Sequence, residues 1–272
     1  MKPADIIAFL QSDLPVVEVS LARVRGSSPR EQGAVMYVSN AGMAGTIGGG
    51  QLEYMALDEA RKLLKSNGNA AIMDVPLGPE IGQCCGGRVE ISLSVMDAHA
   101  RAAATARAAA DAAALPHVYV LGAGHVGRAL VNVFQHMPVA CHLVDSRPEE
   151  LGMSQADVAK SLTALPESLV RLAPKGSVFI VLTHDHALDF LLAAEALARG
   201  DAAYVGMIGS ATKRSKFTSF AKAQECVDAQ ALVCPIGAMG SGDKRPEVIA
   251  AAVVAEVMAV LTATSVVAPV TS

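Results

Sequence analysis

The stretch HVYVLGAGHVGRALVNVFQHM, starting at His117, limits what this chain can fold into more than any other segment. An apolar run leads into Gly122-Ala-Gly124-His125-Val-Gly127, which opens a helical pattern, and Asp145 closes the next apolar run, ACHLVDSR. A bare GxGxxG is a weak signal. With a strand before it, a helix after it and an acidic residue about twenty positions on, it reads as a Rossmann nucleotide fingerprint. Gly122, Gly124, His125, Gly127 and Asp145 are therefore the candidate nucleotide-binding residues. The motif speaks more strongly for the fold than for a bound ligand, because a fold can persist after its ligand is lost.

The alternation continues downstream. SVFIVLTHDHALDFLLAAEALARG and AAYVGMIGSATKRSKFTSFA each read as strand then helix, and a last helix follows CPIG. Continuous apolar strands separated by helices call for a parallel sheet covered on both faces. Upstream the pattern differs. Helix signals over residues 3 to 12 give way to strand-like VVEVSLARVR and AVMYVS; after GTIGGGQLEYMALDEARKLLKS, an amphipathic helix behind three glycines, come AAIMDVPL and RVEISLSVM. The expected class is α/β: an N-terminal α+β domain over 1–97, an alanine-rich linker helix over 98–115, and a Rossmann-like parallel-sheet domain over 116–272.

Composition excludes several roles. With 22 basic and 26 acidic residues, no Trp and 4% aromatic residues, the chain has neither a basic field nor stacking platforms for nucleic acid. The start, MKPADIIAFLQSDLP, carries acidic residues and no small-residue cleavage site, so no signal peptide is expected. VIAAAVVAEVMAVLTATSVVAPV is the one membrane suspect. It is diluted by Ala and Thr and carries Glu256, whereas a span needs about 20 strongly apolar residues; a buried final helix is the expectation. Five scattered cysteines in a chain expected to be cytoplasmic predict reduced thiols rather than disulfides.

Several loops can carry chemistry. RVRGSSPREQGA sets Arg25 and Arg30 around Ser27 and Ser28, which suits an oxyanion; a turn with solvated arginines explains the same residues. In GTIGGGQLE, Gly48, Gly49, Gly50 and Gln51 lead into a helix whose free N–H groups attract anions, or simply make a tight turn. LTHDHALDF places His184, Asp185, His186 and Asp189 after a strand, as metal ligands or with Thr183 or Asp185 capping the next helix. Lys213 and Arg214 follow another strand end, one turn into a helix. Cys84 and Cys85 sit adjacent between glycines in GPEIGQCCGGRVEIS. Core cysteines fit poorly there, and a vicinal disulfide would be strained. A soft-metal or sulfur-cofactor site fits better, although no C-x-x-C pair completes a structural zinc site.

Taken together, GSSPREQGAVMYVS, GTIGGGQLE, LGPEIGQCCGGRVEI, VYVLGAGHVGRAL, LVDSRPE, LTHDHALDF, YVGMIGSATKRSKF and CPIG resemble the xanthine dehydrogenase accessory proteins of the XdhC/CoxI family. The resemblance runs over nearly the whole chain and departs at AMGSGDKRPEVIA, where the family has a shorter turn. It implies a dimeric chaperone rather than an enzyme. Such a chaperone binds molybdenum cofactor, holds it during sulfuration by a cysteine desulfurase, and inserts it into a xanthine-dehydrogenase-type apoenzyme. Cys85 matches the family's Cys-Gly-Gly motif and is the first choice to contact molybdenum, with Cys84 second. Arg25, Ser27, Ser28, Arg30, Gly48, Gly49, Gly50, Gln51, His184, Asp185, Lys213 and Arg214 complete the expected cofactor-binding set, His184, Asp185 and Arg214 facing the two thiols. No membrane or nucleic-acid partner is expected. Two rival classes remain: an NAD(P)-dependent oxidoreductase using His184 or His186, and a metal- or redox-sensing protein using the thiols with those histidines.

Overall fold

The computed structural model describes residues 2–66, 68–79, 86–223, 228–238 and 242–263. Two compact units divide the chain, Met1–Ala114 and Leu115–Ser272.

In the first unit, helix α1 (Pro3–Leu10) precedes strands β1 (Val17–Arg25), β2 (Val35–Val38) and β3 (Met43–Gly45). Helix α2 (Gly50–Lys65), strands β4 (Ala70–Pro76) and β5 (Arg88–Val95) and helix α3 (Ala98–Ala113) follow. The strands pair antiparallel in the order β3-β2-β1-β5-β4. Alternation decides the faces. Val17, Val19 and Leu21 of β1 and Val89, Ile91 and Leu93 of β5 point to one side. There α2 lays down Leu52, Ala56, Ala60 and Leu63, a single helical stripe. Burying Leu52 completely is worth roughly 1.5–3 kcal/mol. On the other side Tyr37 and Ala44 pack with Leu10, Met96 and Ala104 of the remaining helices and their flanks.

The alanine-rich segment expected as a linker is a packed helix of this unit. Asp97 caps α3 by accepting the Ala100 N–H at 2.7 Å. Arg101 donates to the carbonyls of Ser12, at 2.8 Å, and Leu14 in the loop after α1. Arg107 pairs with Glu18 on β1 at 2.8 Å. Alanines at 104 and 108 are buried because only a small side chain lets a helix lie this close. The spaced arginines are what fasten it.

Strand β1 holds a second departure from simple alternation. A register shift between Leu21 and Arg23 changes the parity of the strand. Val24 thereby stays with the core, and Arg23 and Arg25 turn outward, opposite Glu90 and Arg88.

The second unit runs β6 (His117–Leu121), α4 (His125–Phe134), β7 (Ala140–Asp145), α5 (Pro148–Gly152), β8 (Ala159–Leu162) and α6 (Pro166–Leu172). It continues with β9 (Val178–Val181), α7 (His186–Ala198), β10 (Tyr204–Met207), α8 (Ala211–Ala223), β11 (Leu232–Val233) and α9 (Pro246–Ala263). All strand pairs are parallel, in the order β11-β10-β9-β6-β7-β8. Counted from β6 this is the 3-2-1-4-5-6 order of the Rossmann fold, with its switch point between β6 and β9. Both sheet faces are apolar. Val118 and Val120 pack with Leu130 and Phe134 of α4 and Val253 and Val257 of α9. Tyr119 and Leu121 pack with Val170, Leu192 and Phe217 of α6, α7 and α8.

Helix α9 is long and apolar enough to cross a membrane, alone among the described residues. Its residues Ala250, Val253, Val254 and Val257 form a stripe against α4. Glu256, the charge in its middle, accepts the Gly237 N–H at 3.0 Å and lies beside the buried Tyr204 hydroxyl. The helix packs on the second unit through this one stripe, and only 22% of it is buried, less than the buried final helix expected.

Candidate functional site

The carboxyl edge of the parallel sheet is built around the glycine motif, and its three glycines differ in what they do. Gly122 has φ +126°, and a Cβ there would lie 2.3 Å from the Leu182 carbonyl oxygen. At Gly127 a Cβ would lie 1.9 Å from the Gly122 oxygen, so strand, turn and helix close together only over glycine. Gly124 answers neither demand. Its φ of −63° suits any residue, and a Cβ would meet nothing within 4 Å. It is the N-cap of α4, and no side chain caps that helix.

Beside the motif is a shallow, solvent-open recess. Leu121, Val144, Pro166 and Leu188 give it apolar walls, and Ser146 and His184 contribute polar groups. Asp145 is at its floor, buried, and its carboxylate is fully engaged. Oδ2 accepts the Ala123 N–H at 2.7 Å and Arg147 Nη2 at 3.0 Å, while Oδ1 accepts the Arg147 backbone N–H and Nε, each at 3.0 Å. Burial raises the Asp145 pKa, but the Arg147 fork and the two backbone N–H groups outweigh it and hold the carboxyl below the usual aspartate range. The acid expected to meet a ribose thus already has a partner from its own loop. Arg147, two positions on, was not singled out in the sequence, although an arginine so close to a strand-end aspartate is the signal for such a pair.

The β9–α7 loop resolves the histidine-rich stretch. Asp185 caps α7 through the Ala187 N–H at 2.7 Å. Asp189 is wholly buried and accepts the Thr183 N–H at 2.8 Å, the Thr183 hydroxyl at 2.7 Å and Lys213 Nζ at 2.5 Å. Lys213, expected as an anion donor, is instead an internal tie between the first turns of α7 and α8, because an isolated charge buried at Asp189 would be costly. His184 and His186 are exposed, and no group of three His, Cys, Asp or Glu residues gathers among the described residues. Arg214 is exposed and donates to the Cys234 carbonyl at 3.4 Å. The Cys234 thiol is buried, and burial pushes its pKa up.

In the first unit the glycine-rich loops converge on Arg25–Arg30. A Cβ on Gly87 would lie 2.1 Å from the Ser27 carbonyl oxygen, and one on Gly48 would lie 2.8 Å from the Pro29 ring. Arg25, Ser27 and Arg30 are exposed, and neither arginine makes an ion pair among the described residues. Ser28 Oγ is buried without a hydrogen-bond partner among them. The Gly48–Gly50 turn differs from the expected anion cradle. Glu53 Oε1 accepts the N–H groups of Ile47 at 3.1 Å and Gly49 at 2.9 Å together with the Thr46 hydroxyl, and Thr46 Oγ1 takes the Gly48 N–H at 3.2 Å. An acidic residue in the first helical turn was the overlooked signal. Gly50 and Gln51 are exposed at the start of α2. Outside Arg25, the bulge turns Arg23 to the same face, where Arg88 forms a fork with Asp74 at 2.7 and 2.8 Å. Cys84 and Cys85 lie outside the described residues; the described chain resumes at Gly86.

These two units define a two-part chain with an antiparallel α+β module and a Rossmann module. A model of the XdhC Rossmann domain matches residues 118–257, and a model of the XdhC and CoxI family matches residues 9–75. The chain belongs to the XdhC/CoxI family. It is 23% identical over 263 residues to an uncharacterized protein, YqeB, of Escherichia coli (strain K12). That match takes in 92% of this chain and 44% of the relative, so the chain spans less than half the relative's length. A protein described as a xanthine dehydrogenase from Bacillus halodurans has a similar fold: TM-score 0.80 at 17% identity, over 99% of this chain and 98% of that one.

Proposed function

We propose that this chain is an accessory protein in the maturation of a xanthine-dehydrogenase-type enzyme, binding molybdenum cofactor as cargo and passing it to the apoenzyme. The observation that carries the reading is that both family models match in order, one on each unit. The first unit's loops supply chemistry suited to that cargo, an anionic pterin dithiolene bearing a phosphate. Arg25 and Arg30 are exposed cations outside the described ion pairs, Arg25 near enough to Asp74 to act on its charge, and Ser28 Oγ is a buried polar atom without a partner among the described residues. A buried hydroxyl without a partner costs about 1–3 kcal/mol, which a ligand oxygen would recover. Cys85, and after it Cys84, is the proposed soft ligand toward molybdenum. Sulfuration by a cysteine desulfurase, a homodimeric state and a role without turnover complete the proposal.

The test is anaerobic titration of molybdenum cofactor into the folded chain, read as bound molybdenum and pterin per protein, followed by transfer to apoenzyme. Cys85→Ala and the pair Arg25→Ala/Arg30→Ala should each lower retention at least tenfold with the fold intact. Equal retention in Cys85→Ala would remove that thiol from the site. Turnover of NAD(P)H with a small substrate, and no cofactor retention, would favour the oxidoreductase reading instead.

A further inference from the structure

We propose that His117 and His142 form a site on the second unit for a divalent late first-row cation, of the Zn²⁺, Ni²⁺ and Cu²⁺ class. His117 opens β6 at the end opposite Gly122, so the pair is separate from the glycine motif. It uses neither the thiols of the first unit nor the exposed His184 and His186.

Strand pairing creates the pair. Parallel β6 and β7 set His117 against Ala140 and Tyr119 against His142, which makes the two histidines diagonal neighbours on one face of the sheet. His117 Nδ1 lies 3.0 Å from His142 Nε2. Imidazole bonds to zinc are about 2.0–2.1 Å long, so two such nitrogens at square or tetrahedral angles stand about 2.9–3.4 Å apart. The chain therefore already holds two ligands of one cation at their working separation.

The surroundings favour ligation. The His142 ring lies on Tyr119, with centroids 4.5 Å apart and planes 9° off parallel, and Tyr119 lies on Phe179 at 5.5 Å. Burial, then the neighbouring His117, depresses the His142 pKa, so its ring is neutral at neutral pH, the form that binds metal. On the other side the register partner of His142 is Ala159, an exposed residue of the edge strand β8. Its methyl group leaves the ring edge open to a hydrated cation.

As they stand, the two neutral rings share one proton in an N–H···N bond. When a cation enters, that proton moves to the other nitrogen of the ring that held it. His117 turns at the strand end, and both lone pairs go to the metal. Only the hydrogen bond breaks, and no net proton leaves. No third His, Cys, Asp or Glu gathers there among the described residues. Water completes the coordination, so the site is open and exchangeable. Imidazole donors select Zn²⁺, Ni²⁺ and Cu²⁺ over Mg²⁺ and Ca²⁺, which take oxygen ligands.

Ni²⁺ titrated into the isotope-labelled full chain at neutral pH locates the ion, because bound paramagnetic nickel broadens nearby amide signals. Amides of residues 117–119 and 140–143 should broaden along one saturable curve, and Mg²⁺ should leave them sharp. His117→Gln and His142→Phe should each weaken binding read on those amides at least tenfold. The second variant keeps an aromatic ring on Tyr119, so loss of binding there is not loss of packing. Sharp β6 and β7 amides at saturating Ni²⁺, unchanged affinity in either folded variant, or an equal response to Mg²⁺ would overturn the proposal and leave the pair a hydrogen bond only. Cofactor retention by the first unit is measured separately, so the two readings fail independently.

Discussion

Each unit carries a glycine-rich turn that opens a helix, and the two turns have opposite owners. In the first unit Glu53 folds back over the Gly48–Gly50 turn and takes its N–H groups for itself. In the second, α4 begins at Gly124 with no side-chain cap and no neighbour over the Cα. Glycine content alone therefore does not make an anion site. What decides is whether the chain already supplies the negative charge. A carboxylate one turn into the helix closes the site, and its absence leaves the site to a ligand.

The largest expected effect breaks the comparison within the second turn. Gly127→Ala puts a Cβ where the Gly122 carbonyl oxygen now stands and should destabilise the second unit by more than about 3 kcal/mol, beyond the usual cost of overpacking because the obstacle is backbone. Gly124→Ala, three residues away in the same motif, should change stability by less than about 0.5 kcal/mol. Denaturant unfolding of the two variants side by side checks this. Equal losses would mean that the middle glycine is also structural.

Next in size is removal of the owner of the first turn. Glu53→Ala leaves the Ile47 and Gly49 N–H groups without their acceptor and should cost about 1–3 kcal/mol. The informative readout is phosphate. The variant should gain thermal stability from added phosphate that the wild type does not, since the vacated turn becomes an anion site. A variant indifferent to phosphate would mean the turn reorganises when Glu53 is lost.

How much of this was legible in the sequence depends on the range over which each feature is determined. The Rossmann unit was readable because GAGHVG, the strand before it and Asp145 are local signals in a fixed order. The roles within the motif were not, since Gly122 answers to Leu182, sixty residues on. The parity of β1 was hidden because a bulge is one extra residue that no alternation rule places. Alanines over 98–115 read as a linker because they offer little to pack. Arg101 and Arg107, whose partners lie nearly ninety residues earlier, make the helix part of the fold. Lys213 reads as a cofactor-binding cation because Asp189, its ion-pair partner, lies 24 residues earlier in a stretch that reads as metal ligands.

The smallest effect sharpens the comparison through acid. In the second unit His142 stacks on Tyr119 at 4.5 Å and shares a 3.0 Å ring-nitrogen contact with His117. Burial, and then the neighbouring His117, depress the His142 pKa below 6.5. The unfolded chain therefore takes up that proton first as pH falls, so stability present above about pH 6.5 is lost progressively below it. In the first unit burial raises the Glu53 pKa, but hydrogen bonds from Thr46, Gly49 and Ile47 bring it below 4.5. Its contribution is present above pH 4.5 and is lost only as pH falls through that lower value. Between these two ranges the second unit should loosen while the first does not. Hydrogen exchange corrected for intrinsic rates should show β7 amides losing protection as pH falls from 6.5 toward 4.5 while those of α2 and β1 keep theirs. His142→Phe, which keeps an aromatic ring against Tyr119 and removes the proton, should flatten the β7 response. If β7 loses protection equally in that variant, the histidine pair is not the acid-sensitive element of the second unit.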